Sequence, residues 1–86
     1  MSILTMYSKR ECPLCDKGLA IALRVASEFA LEIEKVDIEQ DDELRHRHRY
    51  RIPVFELDGA EVGWGRIEEA ALRSEIRRVV GFTPRR

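Results

Sequence analysis

Two cysteines three positions apart, Cys12 and Cys15, are the residues best placed to do chemistry. They lie in Tyr7-Ser8-Lys9-Arg10-Glu11-Cys12-Pro13-Leu14-Cys15. There a short apolar run (Ile3, Leu4, Met6, Tyr7) gives way to apolar residues at helical spacing, Leu19, Ala22, Leu23, Ala26 and Phe29. The junction predicts Cys12 at a helix N-cap and Pro13 at the first helical position, where the N–H that proline lacks would be unpaired anyway. The free amides of Leu14 and Cys15 then face the Cys12 sulfur, with the positive end of the helix dipole behind them. Both favour a thiolate. Lys9 and Arg10 add positive charge upstream, Glu11 partly opposes it, and the Cys12 thiol is expected to titrate below the free value of about 8.5. Cys15, one turn into the helix, is expected to be less exposed and ready to attack a mixed disulfide formed on Cys12.

Other uses of the pair fit less well. A bridge across three positions closes too small a loop to remove much unfolded-state entropy, so it is a poor staple. As a zinc site it is two ligands short, and the two histidines, His46 and His48, miss the usual finger spacing; no metal is expected. Buried structural thiols need neither a proline between them nor a helix start beneath them. A redox pair accounts for all three features.

The elements that must position this pair can be read along the chain. Its 86 residues suit a single domain over residues 1–86, and a formal net charge of −1 gives no global field towards nucleic acid or membrane. No basic segment leads into a long apolar run and no window reaches membrane-spanning length, so a cytoplasmic protein is expected. In that reducing setting a lone Cys-x-x-Cys is more often catalytic than structural. Leu31 to Ile38 alternates apolar and charged residues and predicts a half-buried strand, parallel to the first across a βαβ crossover. An acidic stretch, Asp37 to Asp42, opens a short polar helix that turns Leu44 and Tyr50 inward. Ile52-Pro53-Val54-Phe55-Glu56-Leu57 is the third strand, Asp58-Gly59 a hairpin turn, and Ala60 to Trp64 the fourth strand. Ile67, Ala71, Leu72, Ile76 and Val79/Val80 recur at helical spacing, and Gly81 with Pro84 closes that helix. The order is β-α-β-α-β-β-α.

This order, with a Cys-x-x-Cys at the first strand-helix junction and Pro53 at the head of strand three, resembles the thioredoxin fold, and glutaredoxins most closely. Tyr7 to Cys15 is similar to the glutaredoxin pattern Tyr-x-Lys-x-x-Cys-Pro-Tyr-Cys, with Leu14 where the family usually has tyrosine. The resemblance implies an α/β fold with a four-stranded mixed sheet flanked by helices. It implies a thiol-disulfide oxidoreductase, an enzyme in which Cys12 attacks and Cys15 resolves, with no organic cofactor and glutathione as a possible co-substrate. An X-Pro bond is trans by default; the resemblance implies cis at Pro53. The Ile52 backbone would then offer its N–H and C=O to an extended substrate segment. Lys9, Pro13, Leu14, Arg51, Ile52, Pro53, Trp64 and Arg66 are the candidate substrate-binding residues.

Three further positions, Arg51, Trp64 and Arg66, depart from the family pattern. Arg51 stands where glutaredoxins commonly have threonine, and Gly63-Trp64-Gly65-Arg66 stands where they read Gly-Gly-x-Asp, whose carboxylate holds the ammonium of glutathione. Arg66 reverses that charge and suits a carboxylate instead. The expected partner is therefore a disulfide-containing protein, or a glutathione mixed disulfide held in another way, with glutathione or a reductase as electron donor. Trp64 has two readings, a core or rim aromatic and a wall of the substrate groove; Arg66 is either a solvated charge leading into the last helix or such a grip. The run Arg45-His46-Arg47-His48-Arg49-Tyr50-Arg51 suggests a nucleic-acid patch. Asp41, Asp42 and Glu43 directly upstream argue against it and for a solvated helix face. By the resemblance, Arg47, Arg49 or Arg51 would hold an anionic substrate. The histidines receive no role. Two rivals remain: an iron-sulfur or metal carrier, which would need a dimer or bound thiols to complete its ligands, and a non-catalytic binding module. A monomer is expected.

Overall fold

The computed structural model describes residues 3–81. β1 (Ile3–Ser8) runs into α1 (Pro13–Glu28), β2 (Glu32–Asp37), a 3-10 turn at Ile38–Gln40, α2 (Asp42–His48), β3 (Val54–Leu57), β4 (Ala60–Trp64) and α3 (Glu69–Val79). The sheet order is β2-β1-β3-β4. β1 and β2 are parallel, joined by the α1 crossover that parallel neighbours require, while β3 is antiparallel to both β1 and β4. This is the thioredoxin-like α/β fold. At the β3–β4 hairpin Asp58 and Gly59 both have positive φ, 53° and 83°, the twist that a two-residue turn between right-twisted strands demands.

Strand alternation divides the molecule into two layers. Leu4 and Met6 of β1 pair with Leu57 and Phe55 of β3 and point to the face covered by α1 and α3. There they meet Cys15, Ala22, Val25 and Ala26 of α1 and Leu72 and Ile76 of α3, all buried. Each large aliphatic side chain so buried contributes about 1.5–3 kcal/mol. Across the top of this layer Arg73 of α3 grips both oxygens of Glu28 on α1, each at 2.7 Å, and Arg24 of α1 reaches Glu69 of α3 at 3.0 Å. The opposite face presents Tyr7 and Val54, and α2 packs there through His48.

The structure corrects several sequence expectations. Tyr50 is not inward but 83% exposed, and the residue that α2 buries is His48. Helical phase explains this: His48 lies four positions after Leu44 on the same face, whereas Tyr50 falls beyond the helix end. Leu23 is 54% exposed, because the buried stripe of α1 runs through Cys15, Gly18, Ala22, Val25 and Ala26, and Leu23 sits one residue out of that phase. Strand three begins at Val54, with Ile52 and Pro53 in the connection before it. Val79 is half-buried and Val80, at the C-cap of α3, is exposed. Pro84 lies outside the described residues. No helix among the described residues is long and apolar enough to cross a membrane.

Candidate functional site

Cys12 occupies the N-cap of α1 in an extended conformation, and Pro13 begins the helix. The backbone N–H of Cys15 donates to Cys12 Sγ at 3.1 Å, and the Cys12 carbonyl accepts from Asp16 N–H at 3.0 Å, so both cap groups of Cys12 are used. The two cysteines are joined as a disulfide, with their Cα atoms 5.1 Å apart. Cys12 is half-exposed while Cys15 is 3% exposed and forms part of the core. One sulfur thus faces outward at a helix start and the other stands behind it. Directly upstream, Glu11 adopts φ 55°, a left-handed conformation that costs a non-glycine residue about 1–3 kcal/mol and turns the chain sharply from β1 into α1.

The α2–β3 connection packs against the same helix. The Ile52–Pro53 peptide bond is cis, and Pro53 is fully buried. Pro53 lies over Gly18, one turn beyond Cys15, so closely that a Cβ on Gly18 would stand 3.1 Å from Pro53 Cγ and 3.4 Å from Phe55 Cζ. Gly65, at φ 70°, donates its N–H to the Pro53 carbonyl at 2.8 Å and ties the end of β4 to this loop. Arg51 N–H is taken by the carbonyl of His48 at 2.8 Å.

Of the candidate binding residues, Arg51, Ile52, Pro53 and Trp64 form one neighbourhood. The Arg51 guanidinium lies 4.7 Å above the Trp64 ring and pairs with Glu61 at 2.5 Å. Trp64, 52% exposed, is a rim residue and not a core one. Arg66 is exposed and lines, with Trp64, Ile67 and Leu72, a hollow of about 310 Å³ between β4 and α3. Pro13 is exposed and Leu14 half-buried in the first turn of α1. Lys9 does not join these residues: it faces β2, lining a separate hollow of about 220 Å³ with Ser8, Asp16, Lys35 and Asp37. Arg45 and Arg47 of the basic run are engaged within α2 by Asp42 and Glu43, as befits a solvated helix face.

Two residues near the site escaped the sequence reading. Gly18 leaves room for Pro53; its signal was a glycine inside a helix, which costs about 1 kcal/mol relative to alanine and so asks for a reason. His48 is 2% exposed, stacks on Tyr7 with ring centroids 4.6 Å apart, and has no hydrogen-bond partner at either nitrogen. Its signal was the four-residue spacing from Leu44. Burial, aided by Arg47 and Arg51 and opposed by Glu56 and Glu61, lowers the His48 pKa. Tyr7 donates to Glu56 at 3.2 Å, and its pKa is raised, first by burial and then by the Glu56 charge. Among the described residues no three His, Cys, Asp or Glu side chains converge as a metal site.

Residues 3–77 match the family described as Glutaredoxin-like domain (DUF836). Among solved structures, the chain is similar to the structural-genomics target protein XcR50 from X. campestris, at 26% identity and a TM-score of 0.74 over 85% of this chain and 93% of that one. It is also similar to Fasciola hepatica thioredoxin, at 28% identity and a TM-score of 0.64 over 90% of this chain and 79% of that one. A mutant thioredoxin from Halobacterium salinarum, 22% identical with a TM-score of 0.71 over 96% and 78% of the two chains, shares the fold.

Proposed function

This chain belongs to the glutaredoxin-like (DUF836) family, and from that membership we propose that it is a thiol-disulfide oxidoreductase working through Cys12 and Cys15. The observation that carries the reading is the arrangement of the two sulfurs: Cys12 at the N-cap, accepting the Cys15 N–H at 3.1 Å, with Cys15 buried behind it. A helix N-terminus stabilises negative charge on a capping sulfur, which is the ionised form that attacks disulfides.

In the reduced protein the Cys12 thiolate attacks one sulfur of a substrate disulfide. A Cys12–substrate bond forms, the substrate S–S bond breaks, and the departing thiolate takes up a proton. Cys15, having lost its proton, then attacks Cys12 Sγ, releases the second substrate thiolate and leaves the Cys12–Cys15 bridge. Two electrons have passed to the substrate. Two glutathione thiols, or a reductase, return them and reopen the bridge. The Ile52 backbone, ahead of the buried Pro53, is the edge along which an extended substrate segment would lie. Arg51, Trp64 and Arg66 border that edge; Pro13 and Leu14 border the sulfurs. No resident cofactor is needed, and the chemistry suits a reducing compartment such as the cytoplasm.

Turnover of a small glutathione mixed disulfide, coupled to glutathione reductase and with Cys12→Ser as the blank, tests this reading. Turnover that Cys12→Ser abolishes is the expected result. A purified pair that neither oxidises nor reduces across the glutathione range would overturn it. An oxidisable pair with no glutathione turnover would assign the electrons to a reductase and the substrate to proteins.

A further inference from the structure

The loop before β3 and the end of β4 present two exposed aromatic rings, each with a guanidinium laid on it. Arg49 lies 4.7 Å from the Tyr50 ring centroid and Arg51 lies 4.7 Å from that of Trp64. Tyr50 is 83% and Trp64 52% exposed, although rings of this size ordinarily bury most of their surface. Arg66 follows Gly65, whose N–H holds the Pro53 carbonyl. Among the described residues neither Arg49 nor Arg66 takes part in an ion pair, while Arg51 gives one of its donors to Glu61.

A guanidinium stacked on a ring keeps its N–H edge free in the plane and loses less side-chain freedom when that edge is used. The fork geometry of that edge matches a carboxylate. Two such groups, Arg49 and Arg51, with Arg66 near them, set three positive charges against Glu61, which pairs with Arg51, and Glu68, which lines the Arg66 hollow together with Glu75, itself paired with Arg78, on a chain whose formal net charge is −1. The charge is therefore local, next to Pro53, and is not a property of the whole molecule.

We propose that this rim, Arg49, Tyr50, Arg51, Trp64 and Arg66, docks a protein segment carrying aspartate or glutamate beside the disulfide to be reduced. The proposal rests on the oxidoreductase reading and narrows its substrate to acidic protein segments. Carboxylates of the segment meet the free edges of Arg49 and Arg66, and compete with Glu61 for the remaining donors of Arg51. Its apolar atoms cover Tyr50 and Trp64. A nucleic acid fits less well, because one face of each ring is already occupied by a guanidinium and is closed to a stacking base.

Trp64 is the only tryptophan of the chain, so its fluorescence reports binding without any redox step. The test titrates the oxidised protein with short peptides holding serine at their centre, flanked either by Asp and Glu or by Lys. The acidic peptide is expected to bind about tenfold more tightly than the basic one at an ionic strength of about 0.01 M. The difference should shrink towards about 0.15 M, as the screening length falls from about 30 Å to about 8 Å. Arg49→Glu with Arg66→Glu should invert the preference, and Arg49→Lys with Arg66→Lys should retain it. Equal affinities, a preference unchanged by charge reversal, or tighter binding of a single-stranded oligonucleotide would each overturn the proposal. Disulfide exchange by the wild-type chain without a charge preference would remove this surface alone. A charge preference without exchange would keep the surface and remove the oxidoreductase reading.

Discussion

The imidazole of His48 and the phenol ring of Tyr7 stack at 4.6 Å with an interplanar angle of 24°, joining α2 to the strand that leads into the cysteine loop. Neither nitrogen of the imidazole has a partner, so the contact favours the neutral ring. Because the folded pKa of His48 is lowered, the unfolded chain binds its proton more readily than the folded one. The resulting stabilisation is present above the ordinary histidine value of about 6.5 and is lost as pH falls through the lower folded value. Melting temperature followed against pH should therefore decline on this acid limb. His48→Phe should flatten the decline, and the same change at exposed His46 should leave it in place. An unchanged limb in His48→Phe would assign the acid sensitivity elsewhere.

Gly18→Ala separates helix propensity from packing. In an ordinary helix interior the change gains about 1 kcal/mol. Here the new Cβ would stand 3.1 Å from Pro53 Cγ, closer than ordinary contact, and 3.4 Å from Phe55 Cζ, both on buried side chains. Overpacking of this kind costs about 1–3 kcal/mol. Urea denaturation should show no gain or a net loss, and disulfide reduction should slow because Pro53 is displaced. A variant that gains the full helix increment at wild-type rate would mean that the loop moves freely.

Ala30 offers the opposite case. It follows the C-cap of α1 at φ 57°, while the N–H of Leu31 closes onto the Ala26 carbonyl at 3.0 Å. Glycine suits this position, and Ala30→Gly should stabilise the protein by about 1 kcal/mol. The midpoint of chemical unfolding reads this directly, and redox activity should not change.

The two cysteines should respond differently to serine. Cys12→Ser removes the exposed sulfur and should abolish turnover. Cys15→Ser should leave the first attack intact and accumulate Cys12 mixed disulfides, visible by mass spectrometry as adducts that a reductant removes. Equal loss in both variants without adducts would argue against these roles. A coloured, iron-containing dimer from an anaerobic preparation would favour the metal-carrier alternative.

Phe55, with no exposed surface, packs at the centre of the layer between the sheet and α1. Phe55→Ala should cost about 3–5 kcal/mol, measurable as a lower denaturation midpoint, and should release the wall on which Pro53 and Gly18 meet.

Features set by near neighbours were legible in the amino-acid sequence itself. The N-cap at Cys12 follows from Cys-Pro at a change of hydrophobic period. The hairpin follows from Asp58-Gly59, and the order of elements from apolar spacing. These signals are local because the backbone groups they satisfy lie within four residues. The sequence also marked Arg51 and Trp64, but not that the guanidinium of one lies on the ring of the other. That contact exists because β3 pairs antiparallel with β4, which sets Trp64 opposite Val54. Likewise, only sheet register and the placement of α1 bring Gly18 beneath Pro53. The sequence pointed to Leu44 and Tyr50 as the inward side chains of the α2 segment, whereas the helix end and its phase buried His48, left Leu44 half-buried and turned Tyr50 out. Local chemistry thus determined where the reactive sulfurs sit, and long-range packing decided what surrounds them, because burial depends on which faces meet after the chain has closed.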